Sequence, residues 1–142
     1  MNLRGSGSSF CDCPFCEIVA RSHSCQWLIR AADKTLAFFP DNPVAIGHVL
    51  VIPVKHARYL WDLADDDLCA LICEVKSIAQ SVASTIAPPG VNIIQSNGEM
   101  AEQSVRHLHF HIVPRYENDA IYPIYSKCYI LRPLIDCLVT IA

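Results

Sequence analysis

The sequence predicts an α+β fold: a mostly antiparallel sheet with one long helix packed on it. Three observations carry this expectation. Leu68, Leu71, Ile72, Val75, Ile78, Ala79 and Val82 recur at three- and four-residue steps, the apolar stripe of an amphipathic helix. Short β-type runs bounded by turn residues precede and follow that segment in the order βββαββ, with short hairpin-type links. The chain has 142 residues, 52% apolar and 18% charged, which suits one domain with its own core and excludes bulk disorder.

Each element has a local reason. Glu17–Ala20 reads as a short helical turn behind a cysteine cluster. Gln26–Ile29 and Thr35–Phe39 read as strands, with Ala31-Ala32-Asp33-Lys34 as the turn between them. Pro40-Asp41-Asn42-Pro43 is a loop. After Gly47, His48–Ile52 is a buried type of strand closed by Pro53. The acidic run Asp62 to Asp67 suits a helix N-terminus, where carboxylates face the positive end of the dipole. The helix runs about five turns, and Pro88-Pro89-Gly90 ends it. Val91–Gln95 is a strand, Ser96–Gln103 a polar loop, and Val105–Val113 an alternating strand stopped by Pro114. The division expected is a flexible arm at 1–10, a domain at 11–117 and a tail at 118–142, whose apolar Ile121–Ala142 stretch has no period or caps.

Composition limits the function classes. The formal net charge is −3 and the pI about 6.0, so a nucleic-acid polymer is not the expected partner. The longest uncharged apolar stretches, such as Val44–Val54, are too short to span a bilayer, so no membrane partner is expected. The N-terminal MNLRGSGSSF has no apolar run of the secretory kind. The 8 cysteines are partly crowded, at Cys11, Cys13 and Cys16, and otherwise scattered. Reduced thiols and a cytoplasmic location are the expectation.

The most informative segment is His107-Leu108-His109-Phe110-His111-Ile112-Val113. On a strand, Leu108, Phe110 and Ile112 face one side and the three histidines the other, at steps of about 7 Å. A metal site, an anion site and a nucleophile with helpers all fit such a row. Cys13-Pro14-Phe15-Cys16 adds a Cys-x-x-Cys pair with no second pair to complete a four-cysteine site. His56 and His107 are available as the missing ligands, and Cys11 as a substitute. Two cysteines and two histidines would close a tetrahedral zinc shell, making such a zinc structural. No Walker loop or Gly-x-Gly-x-x-Gly is present.

From about Cys13 to Arg115 the combination resembles the histidine triad (HIT) family of nucleotide hydrolases and transferases. The motif His-φ-His-φ-His-φ-φ is complete at 107–113, with Gln103-Ser104-Val105 ahead and Pro114-Arg115 behind. Phe39-Pro40-Asp41 and Gly47-His48-Val49-Leu50-Val51-Ile52-Pro53 look like the segment for the nucleoside end, Asn97-Gly98 like the phosphate-side loop. Cys13, Cys16 and His56 look like the zinc-bearing branch.

The resemblance implies roles. His109 would attack the α-phosphorus and His111 donate to a phosphate oxygen. His107 would join Cys13, Cys16 and His56 as a zinc ligand, or orient the nucleophile where zinc is absent. Asp41 would hold the ribose hydroxyls, with His48 on the phosphate side. Asn97, Gln103 and Ser104 would contact phosphate and leaving group. Asp41 and Asn97-Gly98 are also ordinary turn chemistry. Two positions depart from the family pattern. Glu102 replaces a Gly, which is expected to push the loop away from φ > 0 and to repel phosphate. Val54 replaces a Lys, with Lys55 one place later, on the opposite face. The implied protein is a homodimeric, zinc-containing hydrolase of purine nucleoside monophosphate derivatives such as adenosine phosphoramidates. The alternatives are a dinucleoside polyphosphate hydrolase and a nucleotide-binding regulatory protein with little turnover.

Overall fold

The computed structural model describes residues 12–22 and 27–121. The arm at 1–10, Cys11 and the tail beyond residue 121 lie outside the described residues. The elements are α1 (Pro14–Ala20), β1 (Leu28–Ala31), β2 (Thr35–Phe38), β3 (Val49–Pro53), α2 (Asp65–Ile86), β4 (Gly90–Gln95) and β5 (Phe110–Arg115). All strand pairs are antiparallel, in the order β1-β2-β3-β5-β4. This is the predicted α+β arrangement of sheet and long helix.

Alternation on the central strands separates two apolar layers. Ala37, Val49, Val51, Leu108, Phe110 and Ile112 meet Leu71, Val75, Ile78 and Val82 of α2 on one face. Those helical residues follow at steps of four, three and four, as one buried stripe must. Leu36, Phe38, Leu50 and Ile52 point to the other face, where Cys13 and Phe15 of the α1 segment cover them. β3 is therefore buried on both sides, as its unbroken apolar run requires. Phe15 stands edge-on to Phe38, ring centroids 5.5 Å apart.

The boundaries differ from the expectations for local reasons. α1 begins at Pro14, earlier than Glu17, because proline suits the first helical turn. α2 starts at Asp65; Asp62 belongs to a preceding 3₁₀ turn, where its carboxylate accepts the Tyr59 N–H at 3.0 Å. The helix ends at Ile86 with Ala87 left-handed (φ 49°), since a residue before proline is disfavoured as α-helical. Pro53 is the last residue of β3, as expected, whereas Pro114 sits inside β5, which runs on to Arg115. Pairing of β5 with β3 stops at Ile112, so no ladder donor is demanded of Pro114 on that side. Residues 105–109 are not strand: the chain bends there, with the His107 N–H reaching the Val105 carbonyl at 2.8 Å.

By length and composition α2 is apolar enough to cross a bilayer, with a mean hydropathy of 1.2. It carries Asp65, Asp66 and Asp67 in its first turn, Glu74 and Lys76 midway, and packs on the sheet by its buried stripe.

Gly47 joins the loop after β2 to β3. Its φ is +81°, and a Cβ there would lie 2.2 Å from Ile86 Cδ1 and 3.2 Å from Pro114 Cγ. Gly47→Ala is expected to destabilise the fold by about 1–3 kcal/mol, read as a lower urea midpoint at unchanged slope; an unchanged midpoint would mean that the loop absorbs the side chain freely.

Candidate active site

One end of the site is a cysteine–histidine cluster, with Cys13 and His107 buried and His56 exposed. Cys13, at the start of α1, and Cys16, one turn on, face His107 Nδ1 at 3.5 and 3.7 Å, and Cys16 Sγ lies 3.3 Å from His56 Nδ1. The ligand atoms of all four lie within 4.8 Å of one another. Ligand atoms around a tetrahedral zinc stand ~3.3–3.8 Å apart, given bonds of ~2.0–2.3 Å, so spacing and donor chemistry both fit a metal ion. The tautomer is set for ligation as well. His107 Nε2–H donates to the Pro53 carbonyl at 2.9 Å, which leaves the Nδ1 lone pair facing the sulfurs. His107 is fully buried, and burial first, then His56 and His109 nearby, lower its pKa to about 4 despite that bond.

The next histidine uses the opposite nitrogen. His109 Nδ1–H donates to the main-chain carbonyl of His107 at 2.7 Å, so its unprotonated nitrogen is Nε2. Phe15 stands edge-on to both His107 and His109, with centroids 5.9 and 5.3 Å away, and fixes their planes. Burial lowers the His109 pKa, against the raising effect of its carbonyl partner. A buried, neutral imidazole with one free nitrogen is a competent nucleophile.

His111 and His48 complete the face. The three triad residues remain on one side of the chain although only His111 is in β5, and the His109 and His111 rings lie 5.0 Å apart. His48 Nε2 is 2.9 Å from His111 Nδ1, and His48 Nδ1 accepts the Val44 N–H at 3.2 Å. Burial, then His109 and His48, lower the His111 pKa to about 4.

Asp41 and His48 line a cavity of about 590 Å³ with Trp27, Phe39, Pro43 and Ile46. Asp41 is exposed at its rim. Trp27 enters unannounced by any motif, since only the return of β1 toward the loop brings it there.

The amides of the polar loop are engaged within the protein. Gln103, only 4% exposed, accepts the Gly98 N–H at 2.8 Å and donates to the Arg58 carbonyl at 2.7 Å. Asn97 Oδ1 accepts from the Leu60 N–H at 2.9 Å and from Gln95 at 3.1 Å, while its own NH₂ donates to Gln95 at 2.7 Å. Both side chains brace the loop, and each NH₂ keeps a second hydrogen beyond the bond it makes here. Ser104, next along, is exposed. Glu102 corrects the sequence expectation: it adopts φ 67°, ψ 25°, so the loop keeps its left-handed turn with a side chain present. It follows a short 3₁₀ turn, Glu99–Ala101, and Glu99 pairs with Arg106. Lys55 is exposed beyond β3, where its charge helps hold the Asp67 carboxylate below its usual range, behind Lys34 as the main cause.

The comparisons agree with this architecture. The HIT domain family matches residues 23–118. A HIT-like protein of Methanocaldococcus jannaschii is 39% identical over 107 residues, 75% of this chain and 81% of that one. An adenosine 5'-monophosphoramidase of Schizosaccharomyces pombe is 39% identical over 103 residues, 72% of this chain and 74% of that one. A HIT family crystal structure from Bacillus subtilis superposes with a TM-score of 0.80 at 30% identity, covering 92% of this chain and 94% of that one. With the three histidines on one side of the chain and most of the chain matched, this protein belongs to the HIT domain family.

Proposed function

We propose that the protein is a nucleotide hydrolase that cleaves purine nucleoside monophosphate derivatives of the adenosine phosphoramidate type through a nucleotidyl–His109 intermediate. The observation that carries this reading is the 2.7 Å bond from His109 Nδ1–H to the His107 carbonyl, which leaves Nε2 as the attacking atom. In the first step Nε2 bonds to the α-phosphorus while the bond from phosphorus to the leaving nitrogen breaks, and the departing amine takes up a proton. In the second, water attacks phosphorus and releases a proton to solvent, which replaces the one the amine took from it, while the P–N bond to His109 breaks and the nucleoside monophosphate leaves with His109 neutral again. Dividing the displacement in two lowers each barrier. His111 Nε2–H, Ser104 and loop amides near Gly98 are the donors for charge on the phosphoryl oxygens. The cavity at Trp27, Phe39 and Asp41 has the size of a small-ligand site, and we assign it the nucleoside, with Asp41 toward the ribose. The phosphoramidase relative from S. pombe supports the leaving-group class.

Cys13, Cys16, His56 and His107 are assigned to a structural zinc. Four protein ligands leave no open position, so the ion would supply cross-linking of α1 to the site rather than Lewis-acid chemistry. Thiolate ligands suit a reducing cytoplasm.

The assembly we propose is a homodimer that continues the sheet across two subunits. β4 is an edge strand, and beside it Ile72, Val75, Ala79, Ala83, Val91 and Ile93 line an apolar groove of about 460 Å³. Ile72 is 45% and Ile93 51% exposed, apolar surface of the kind that a partner covers.

Three outcomes are expected. His109→Ala lowers kcat/KM on an adenosine phosphoramidate by ~10⁴-fold or more, and base-quenched wild type yields a nucleotidylated peptide containing His109. Turnover surviving in the variant, or a higher kcat/KM on a diadenosine polyphosphate, overturns the assignment. Purified protein holds close to one zinc per chain by elemental analysis, and Cys16→Ala loses it together with thermal stability; full retention refutes the ligand set. In light scattering, wild type has the mass of a dimer and Ile93→Glu that of a monomer; a monomeric wild type removes the dimer.

A further inference from the structure

His48 is 3% exposed, and both of its ring nitrogens are engaged. The Val44 peptide N–H can only donate, so His48 Nδ1, 3.2 Å away, accepts. A neutral imidazole carries one N–H, which must then be on Nε2. That nitrogen lies 2.9 Å from His111 Nδ1, so His111 accepts there and its own hydrogen is on Nε2. No acceptor for His111 Nε2 occurs among the described residues. The geometry suits an in-plane bond: the two rings lie edge to edge, 28° from parallel with centroids 5.2 Å apart, and His48 sits two residues from Leu50, the cross-strand partner of His111. Burial lowers the pKa of both rings, keeping them in the neutral forms that this chain of bonds needs. Val44 belongs to the segment whose Pro43, Ala45 and Ile46 line the cavity.

We propose that His48 is a positioning residue that transmits the direction of the Val44 N–H through its ring to His111, fixing the donor hydrogen of His111 on Nε2 and linking it to the segment that lines the nucleoside cavity. Without His48, two tautomers and two flip states of the His111 ring become accessible. The phosphate oxygen as the final acceptor rests on the nucleotide-hydrolase reading; the direction of the bonds does not.

The test uses the full-length protein labelled with ¹⁵N, near neutral pH. Long-range ¹H–¹⁵N spectra are expected to give the Nε2–H tautomer for both His48 and His111, with scalar coupling across the hydrogen bond from His48 Nε2 to His111 Nδ1. An Nδ1–H on either ring overturns the relay. In kinetics, His48→Phe fills the space without a donor and is expected to lower kcat by about tenfold or more with KM within about threefold. His48→Gln, which returns an N–H near the Nε2 position, is expected to recover most of that loss, whereas equal losses in the two variants indicate packing alone and overturn it. A wild type that turns over no nucleotide would defeat the hydrolase reading and leave the spectra to decide the relay.

Discussion

The hydrogen bond from His109 to the backbone of His107 is the constraint around which the rest is arranged. It requires the main chain at 107 to turn its carbonyl toward the next histidine, which the bend at 105–107 achieves before β5 begins. The His107 ring is then tied to Pro53 at the end of β3, and the Leu108 N–H to the Ala57 carbonyl beyond it. One residue thus serves two neighbours, the thiols with its ring and the His109 ring with its carbonyl. Moving its backbone would disturb both.

The fold protects that arrangement by dividing labour between the faces of the sheet. Leu108, Phe110 and Ile112 anchor the triad segment in the α2 layer, and their burial supplies the rigidity that the polar face cannot supply for itself. The histidines occupy the face capped by α1, where Phe15 excludes water from one side and α1 leaves the other open. Low pKa values follow from this partial dryness, and so does neutral imidazole chemistry. Polar groups at the open edge are held by Gln103 and Asn97, whose amides take up main-chain donors and acceptors that would otherwise be unpaired.

What the sequence disclosed was whatever periodicity or chemistry could mark. The helical stripe marked Leu71, Val75, Ile78 and Val82 as core, though it also included the exposed Ile72, and the alternation at 107–113 marked Leu108, Phe110 and Ile112, because both are side-chain patterns. Cys13 and Cys16 with His56 and His107 were legible by residue type as a group that could hold a metal ion, though 94 residues separate Cys13 from His107. Main-chain partners left no trace. The Pro53 carbonyl, the Val44 N–H and the Leu60 N–H carry no residue signature, so the tautomers of His107 and His48 and the bracing role of Asn97 emerge only in three dimensions. Glu102 misled for a related reason: a left-handed turn prefers glycine, yet the Ala101 and Gln103 N–H groups both donate to the Gly98 carbonyl, hold the loop closed and impose φ 67° on a side chain. Glutamate endures the strain because its neighbours determine it.

The great sequence distance between the α1 segment and the triad has a kinetic meaning. Cys13 meets His107 only after β1, β2, β3, α2 and β4 have been threaded between them, and contacts so remote in sequence are costly to close early. Helix α2 and the β1–β2 hairpin rest on local contacts, whereas the apolar contacts of α1 are with β2 and β3 and its cysteines face the distant triad segment. Docking of α1 therefore needs β2 and β3 for its apolar contacts and the far more distant triad segment for its cysteines.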